Sequence, residues 1–444
     1  MRFLLGSSNR DLTRMIRSAL ERFPYEIFEV DNGVDTFQHA LTQKFDLLIL
    51  DYHLSRMNAA EILQRLTAMK NPNSSAVLCL IANENQRRTL EAIRYNRFEA
   101  IAKPVIVREF VDKIQHILHE ENRMVCLGGG TGLFTLLSGL KTLPGIRLTS
   151  VVSMSDDGGS TGRLRHMFGI LPPGDIRRSL VALSTAPDLV NELMQYRFVH
   201  EGELEGHNLG NLILTALTQM RGSMTRAVRT LSEILNIQVE VIPVTESANT
   251  LYAELENGEY LHGEAAIDIF ESDDPSMRIQ RLWQEPEAVA HPDALDALKN
   301  ARYILLGPGD LFTSVISNLI VRGIADAIRQ SQAKKIYICN IMTEPGETNQ
   351  FQVSDHVREV NKYLGADCLD YVLCSSTVFS EEALKSYALK KQQPVVEKEI
   401  LTLQKITSAR LLWEEVASED ELVRHDALKL ASAIRKIMED DGRR

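Results

Sequence analysis

The segment Met124-Val-Cys-Leu-Gly-Gly-Gly-Thr-Gly-Leu-Phe-Thr-Leu-Leu137 decides the fold of the larger part of this chain. An apolar strand ends at Leu127, and four glycines follow within five positions. The leucines that come next recur at the spacing of one helix face: Leu133, Leu136, Leu137 and Leu140. This pattern predicts a strand, a tight turn and a helix whose first amides are open to an anion. Glycine also serves such turns for steric reasons alone.

A second glycine turn follows at Ser153-Met-Ser-Asp-Asp-Gly-Gly-Ser-Thr-Gly-Arg-Leu-Arg165, after an apolar run that starts at Leu148. Asp156 and Asp157 stand at the carboxyl end of that strand, where carboxylates bind a metal ion, a ribose or a sugar hydroxyl. The alternative is that these aspartates only cap the turn. Because the two glycine turns lie within forty residues, we predict a phosphate cradle with carboxylates beside it.

Length, charge and cysteine usage limit the class of protein. A chain of 444 residues forms two or three domains, and the formal net charge of -11 argues against broad binding to nucleic acid. The five cysteines show no spacing suited to zinc or to a redox pair, so we expect core thiols. No stretch approaches the ~20 apolar residues of a membrane span, and the N-terminus has no signal pattern. We therefore expect a cytoplasmic protein.

Strands and helices alternate five times from Met1 to about Glu121, which predicts a doubly wound, flavodoxin-like parallel sheet. The helices should begin at Arg10, Asp35, Ala59, Glu84 and Val107. A short polar linker then precedes the strand at Met124. We predict one domain over residues 1–121 and a second, Rossmann-like α/β domain over residues 122–444.

The first domain resembles a response-regulator receiver, because Asp51 follows its third strand and Lys103-Pro104 its fifth. Receivers hold magnesium with an acidic pair after the first strand, whereas Ser7 and Ser8 occupy those positions here. Two further departures are Ile81 in place of a hydroxyl residue and Ala100 in place of an aromatic one. We expect Asp51 to form a structural ion pair with Lys103, to escape phosphorylation, and the domain to serve as a docking or dimerisation surface.

The second domain carries further turn signals. Asn257-Gly258 lies between two strand-like runs and predicts a hairpin over Leu251–Ala265. The polar stretch Glu271–Asp296 reads as a surface connection. The strand Tyr303–Leu306 runs into a third glycine turn at Gly307.

Several ordered motifs of this domain together resemble the CofD/YvcK family, and its gluconeogenesis-factor branch more than its 2-phospho-L-lactate transferase branch. They are Gly128–Gly132, Asp156–Arg163, Pro172–Arg177, Gly206–Asn211, Gly307–Ser314, Cys339–Thr348 and Val423–Asp426. The resemblance implies a domain that binds a nucleotide-linked ligand. The transferase branch moves a phospholactyl group to a deazaflavin with magnesium, whereas the other branch is associated with UDP-sugar binding, cell shape and wall synthesis.

The motifs supply the candidate ligand-binding residues. These are Gly129, Gly130, Thr131, Gly132, Asp156, Asp157, Gly158, Gly159, Ser160, Arg163, Asp175, Arg177, Asn208, Asn211, Gly309, Thr313, Asn340 and Thr343. Asp156 and Asp157 are the candidate ligands of Mg²⁺, joined by Asp175 if the protein is a transferase.

Structural alternatives stand beside several of these roles. Arg163 and Arg165 suit a diphosphate or a solvated helix face. Asp175 and Arg177 bind ligand or form a local salt bridge. Asn211 suits the N-cap of the next helix, which leaves Asn208 to read a base or a sugar.

Four more side chains belong to the motifs. His207 is a general acid or base, or a structural hydrogen-bonding group. Asp310 departs from the small hydroxyl residue expected there, and its charge should repel phosphate unless Thr313 and Ser314 compensate. Glu347 is a further sugar or base contact. His425-Asp426 is an orienting pair or a helix start.

Three functions follow from these motifs. The leading hypothesis is a regulator of central carbon metabolism, cell shape and envelope synthesis that binds a UDP-sugar or another nucleotide diphosphate. The alternatives are a magnesium-dependent transferase and a scaffold that binds no ligand. We expect a homodimer by analogy, and a protein partner for the receiver-like domain. The sequence leaves open the base and sugar, any reaction, the catalytic residues and the need for metal.

Overall fold

The structure is a computed structural model that describes residues 1–21, 25–69, 75–93, 95, 98–270, 274, 276–419 and 423–441. The chain divides into two compact units, Met1–Asn122 and Arg123–Arg444. Both units are α/β structures built on a parallel sheet, as the sequence predicts.

The first unit is a five-stranded parallel sheet in the order β2-β1-β3-β4-β5, with helices between the strands. Its elements are β1 Arg2–Gly6, α1 Arg10–Leu20, β2 Glu26–Val30, α2 Gly33–Thr42, β3 Leu47–Asp51, α3 Ala59–Ala68, β4 Ala76–Ile81, α4 Glu84–Glu91, β5 Phe98–Ala102 and α5 Val107–Glu121. Alternate residues of β3 enter two separate apolar cores, with Leu48 and Leu50 in one and Leu47 and Ile49 in the other. Helices therefore cover both faces of the sheet, as doubly wound folds require.

An asparagine N-cap precedes each of the first four helices. The side chains of Asn9, Asn32, Asn58 and Asn83 accept hydrogen bonds from amides in the first turn. Four of the five predicted helix starts are confirmed. The exception is α2, which begins at Gly33 because its cap is Asn32.

Asp51 forms the predicted ion pair with Lys103. The Lys103 ammonium donates to both carboxylate oxygens at 2.7 and 2.8 Å, and the Ser7 hydroxyl donates to one of them at 3.4 Å. The His53 amide donates to the other at 3.2 Å. Both oxygens of the Asp51 carboxylate are therefore held by neighbouring donors.

The second unit contains a seven-stranded parallel sheet in the order β15-β14-β13-β12-β6-β7-β8. Its first elements are β6 Arg123–Gly128, α6 Gly130–Leu140, β7 Arg147–Val152, α7 Gly159–Phe168, α8 Gly174–Leu183, α9 Asp188–Gln195, α10 Leu209–Arg221, α11 Met224–Ile234 and β8 Glu240–Pro243. The middle elements are β9 Thr250–Leu255, β10 Tyr260–His262, α12 Glu264–Asp268, β11 Ile279–Glu285, α13 Pro292–Asn300 and β12 Tyr303–Leu306. The last are a π-helix Leu311–Ile316, α14 Ser317–Leu319, α15 Ile324–Gln330, β13 Lys334–Ile338, α16 Val353–Leu364, β14 Tyr371–Ser375, α17 Glu381–Leu389, α18 Ile400–Ile406, β15 Arg410–Glu414, β16 Ala417–Glu419, β17 Val423–His425 and α19 Ala427–Asp441.

The direction of winding reverses between β6 and β12, which pair in parallel at the centre of this sheet. Strands β7 and β8 extend the sheet on one side, and β13 to β15 extend it on the other. In open α/β sheets a crevice forms at the carboxyl ends of the strands at such a reversal. The glycine turns after β6 and β12 meet at this point.

The predicted hairpin is confirmed as β9 and β10, which join β11 in a three-stranded antiparallel sheet. The prediction that Glu271–Asp296 is only a surface connection is wrong, because this stretch contains β11 and the start of α13. Ile279 and Leu282 are buried, and a bulge between Ile279 and Arg281 breaks the alternation by which a strand is recognised. Residues 271–273 and 275 lie outside the described part. Among the described residues, no helix has the length and apolar character that crossing a membrane requires.

We expect Asp51 to remain unmodified when the protein is incubated with a small phosphodonor and Mg²⁺. Lys103 holds both oxygens, and Ser7 and Ser8 supply no carboxylates for the metal. Intact-mass spectrometry checks this, with a functional receiver domain as the positive control. A stable adduct of one phosphate on Asp51 would contradict the assignment.

Candidate functional site

A cleft of about 770 Å³ opens at the carboxyl ends of β6 and β12. The structure brings thirteen of the predicted ligand-binding residues to its walls. These are Gly129, Gly130, Thr131, Gly132, Asp156, Gly158, Gly159, Ser160, Asp175, Arg177, Asn211, Gly309 and Asn340. Asp157, Arg163, Asn208, Thr313 and Thr343 do not line the cleft.

Two glycine turns form the floor of the cleft. Gly130 has a φ of 61°, in the left-handed region that favours glycine, and α6 starts there without a side-chain cap. At Gly132 a Cβ atom would collide with the carbonyl of Pro308, which belongs to the turn after β12. The two turns can approach this closely only because Gly132 has no side chain.

Asp175 places a buried carboxylate at the start of α6. It accepts hydrogen bonds from the Gly130 amide and, at 3.0 Å, from the Arg178 guanidinium. Burial nevertheless raises its pKa. The predicted salt bridge between Asp175 and Arg177 is wrong, since Arg178 is the partner of Asp175. Arg177 instead donates from Nε to the side-chain Oδ1 of Asn211 at 3.1 Å.

The neighbours Asp156 and Asp157 face different surroundings. Asp156 lines the cleft and accepts a hydrogen bond from the Gly158 amide at 3.0 Å, which is the turn-capping alternative. Burial and the charge of Asp175 raise its pKa to about 6. Asp157 accepts from the Ala265 amide at 2.9 Å and so holds the start of α12.

The predicted magnesium pair Asp156 and Asp157 is therefore not assembled. Among the described residues, no group of three or more histidine, cysteine, aspartate or glutamate side chains is placed to hold a metal ion. The wider predicted set with Asp175 is not assembled either, because Asp156 and Asp175 line the cleft whereas Asp157 is bonded to Ala265 outside it. The residues present do not form a preformed magnesium site.

Carboxyl groups that the sequence analysis did not single out form another wall of the cleft. Glu264 and Asp268 belong to α12, and Glu344 follows β13. Burial and neighbouring carboxylates raise the pKa of Glu264 to about 9 and of Glu344 to about 7. Asp310, predicted as an added charge, lines the same cleft, and burial with the charge of Asp268 raises its pKa to about 6.

Three arginines line the same cleft: Arg177, Arg178 and Arg197. Burial, followed by the charges of Arg178 and Arg197, lowers the pKa of Arg177 to about 10. Because these cations repel one another, an anion bound among them would be stabilised. Arg163 and Arg165 instead donate to the carbonyls of Glu205 and Asn249, outside the cleft.

The N-cap predicted at Asn211 lies at Asn208 instead. Asn208 is the N-cap of α10, and its side chain accepts from the Asn211 amide at 3.2 Å. Asn211 lies one turn into the helix and reaches the cleft through its contact with Arg177. His207 does not line the cleft, and its Nδ1 shares a hydrogen bond with Ser160 at 3.1 Å, so the structural alternative holds.

Two unpartnered polar atoms belong to residues of the cleft wall, Asn340 Oδ1 and His425 Nε2. The other ring nitrogen of His425 carries a hydrogen and donates it to the Cys339 carbonyl. Burial lowers the pKa of His425 to about 4, so the ring is neutral and Nε2 is an acceptor. The predicted pairing of His425 with Asp426 is wrong. Asp426 accepts from the Lys429 amide at 2.8 Å and starts α19.

Comparison with known proteins identifies the family. Residues 124–412 match the family described as 2-phospho-L-lactate transferase CofD, and residues 8–115 match the response regulator receiver domain. The chain belongs to the CofD family. Its first unit has the receiver-domain fold.

Relatives in this family carry the name gluconeogenesis factor. The protein of that name from Bacillus subtilis is 37% identical over 72% of this chain and 99% of its own length. The one from Listeria monocytogenes is 40% identical over 70% of this chain and 94% of its own length. A crystal structure of a UPF0052 family member from Bacillus halodurans is 38% identical, has a TM-score of 0.66, and covers 71% of this chain and 98% of its own.

The raised pKa values predict that stability falls as pH rises. Such a carboxyl group binds its proton more tightly in the folded protein than in the unfolded chain. Its contribution to the free energy of unfolding is fully present below its unfolded-state pKa and is lost as pH rises toward its folded-state pKa. For Glu264 this window runs from about 4.5 to about 9. We expect Glu264→Gln to be more stable than the wild type by about 4 kcal/mol at pH 8, because each pH unit above 4.5 costs the wild type about 1.4 kcal/mol, and nearly equal to it at pH 4.5.

Urea unfolding at the two pH values measures this difference. Glu256→Gln is the matched control. Glu256 is exposed in the turn between β9 and β10, just before α12, so its substitution should change stability at neither pH. A Glu264→Gln protein that is less stable than the wild type at pH 8 would show that the ionised carboxylate stabilises the fold.

Proposed function

We propose that the CofD-type unit binds a nucleoside diphosphate sugar, a UDP-sugar in the first place, and acts as a regulator of the gluconeogenesis-factor type. In this proposal binding controls central carbon metabolism, cell shape and envelope synthesis. The observation that carries the proposal is the convergence of Arg177, Arg178 and Arg197 beside the glycine turns of one cleft.

The arginine end of the cleft suits a diphosphate. Guanidinium groups match the geometry of phosphate oxygens, and the glycine turns let backbone amides approach them. A bound diphosphate would relieve the mutual repulsion of the three arginines. It would also compete with Asp175 for Arg178, whose side chain is 40% exposed.

Another part of the cleft lining suits hydroxyl or imide groups. Among the described residues, Asn340 Oδ1 and His425 Nε2 have no hydrogen-bond partner, and a buried acceptor without a donor costs about 1–3 kcal/mol. Sugar hydroxyls and the imide N–H of uracil are donors. The carboxyl groups Glu264, Asp310 and Glu344 add further acceptors for hydroxyls.

The regulatory proposal is favoured over a transferase because relatives 37% and 40% identical to this chain carry the name gluconeogenesis factor. In addition, Asp157, one of the two aspartates predicted to hold magnesium, is bonded to the Ala265 amide and does not line the cleft. The scaffold hypothesis leaves the two unpartnered acceptors of the cleft unexplained. We also propose that the protein pairs as a homodimer and that the receiver unit docks a protein partner, since its Asp51 is engaged by Lys103.

A thermal-shift panel tests the proposed function. UDP-glucose, UDP-N-acetylglucosamine, UDP, GDP and NAD are each added with and without Mg²⁺, because a ligand that binds only the native state raises the melting temperature. Selective stabilisation by the UDP-sugars supports the proposal. A preference for GDP with Mg²⁺ supports the transferase, and no shift with any ligand supports the scaffold.

We expect Arg178→Gln to weaken UDP-sugar binding about tenfold or more, because a charged hydrogen bond to phosphate is lost. The melting temperature without ligand should fall, since the buried Asp175 loses its guanidinium partner, so both affinities are compared at a temperature at which the variants are folded. Arg163→Gln is the matched control, because Arg163 is exposed and lies outside the cleft. Calorimetric titration measures both affinities. Equal weakening by the two substitutions would remove Arg178 from the phosphate site.

A further inference from the structure

Glu347 is a buried carboxylate that the ligand-binding argument leaves unused. Its motif predicts a contact with a sugar or a base, but Glu347 is 1% exposed and does not line the cleft. Thr313, also predicted as a ligand contact, donates its hydroxyl to Glu347 Oε1 at 2.7 Å. The Phe312 amide donates to Glu347 Oε2 at 2.9 Å.

These two bonds fix the first turn of the π-helix that follows the third glycine turn. The Asp310 carbonyl accepts from the amides of both Ser314 and Val315, which is the widened turn of a π-helix. Asp310 and Ser314 line the cleft, while Phe312 and Thr313 point back to Glu347. Single π turns are rare in proteins, and those that do occur often lie at functional sites.

Glu347 comes from a different segment, the turn that follows β13. Its amide donates to the Glu344 carbonyl at 3.2 Å, and Glu344 also lines the cleft. The side chain therefore joins two cleft-lining segments that follow neighbouring strands of the sheet.

The electrostatic surroundings make this contact costly. Burial and the negative charge of Asp310, with a contribution from Asp268, raise the pKa of Glu347 to about 8. The groups that favour the ionised form are the Thr313 hydroxyl and the Phe312 amide. If Glu347 served packing alone, an apolar side chain of similar size would stabilise the fold as well at this buried position.

We propose that Glu347 is a positioning residue, which holds the Asp310–Ser314 wall of the cleft in its binding geometry through Phe312 and Thr313. This inference rests on the proposed function. The residue acts through the wall and makes no contact with ligand. A displacement of such a wall by about 1 Å is enough to weaken binding strongly.

The test compares Glu347→Leu with the conservative Glu347→Gln. Leucine removes both acceptors, whereas the glutamine oxygen accepts from the Phe312 amide and its NH₂ group donates to the Thr313 hydroxyl. We expect Glu347→Leu to lower the affinity for UDP-glucose about tenfold or more and Glu347→Gln to keep it within about threefold. Thr313→Val removes one bond only and should give an intermediate loss, which keeps the test available if the leucine protein does not fold.

Hydrogen exchange measured by mass spectrometry reports on the stability of the Asp310–Ser314 wall in the absence of ligand. Exchange over residues 310–316 should be faster in Glu347→Leu than in the wild type, with glutamine restoring protection. Asp367→Leu is the matched control, because Asp367 accepts from the Thr407 hydroxyl and the Ser408 amide, outside the cleft.

Three outcomes overturn the inference. They are unchanged exchange over residues 310–316 in Glu347→Leu, faster exchange with unchanged UDP-glucose affinity, and failure of glutamine to restore either property. If the wild type does not bind UDP-glucose, the proposed function fails and the exchange pattern still decides whether Glu347 holds the wall.

Discussion

The parallel pairing of β6 with β12 is the constraint on which the cleft depends. Met124 to Leu127 pair with Tyr303 to Leu306, and the Gly307 amide donates to the Leu127 carbonyl at 3.0 Å. The two strands are far apart in sequence, so their pairing brings together glycine turns that no local signal connects. Because the winding reverses between them, a crevice opens at the carboxyl ends of the two strands, beside the glycine turns. The missing side chain at Gly132 then sets how closely the turns approach.

The cleft concentrates charges of both signs. Its arginines lie near the glycine turns, and its carboxyl groups come from α12, from Asp310 and from the turn after β13. Burial raises the pKa of several of these acids, so part of the negative charge is neutralised near pH 7. A polyanion can therefore enter a cleft that carries many acidic residues, and protonated carboxyl groups can donate as well as accept hydrogen bonds.

The sequence was a good guide where the signal is local. Buried parallel strands are continuous apolar runs, and the predicted starts of the first four helices, which asparagines cap, are right to within two residues. It was a poor guide to the direction of individual side chains. Asp156 and Asp157 follow the same strand, yet only tertiary packing turns one to the cleft and the other to Ala265. The N-cap expected at Asn211 lies three residues earlier, at Asn208, because tertiary packing sets where the helix begins. Glu264 joins the site through the hairpin, a contact that no spacing in the sequence encodes.

The measurement that tests the central claim most directly is a crystal structure of the protein with a UDP-sugar. The account predicts that the diphosphate lies between the Gly129–Gly132 turn and Arg178, with the sugar or the uracil toward Asn340 and His425. A diphosphate bound elsewhere on the chain, or a cleft that stays empty at saturating ligand, would contradict the account.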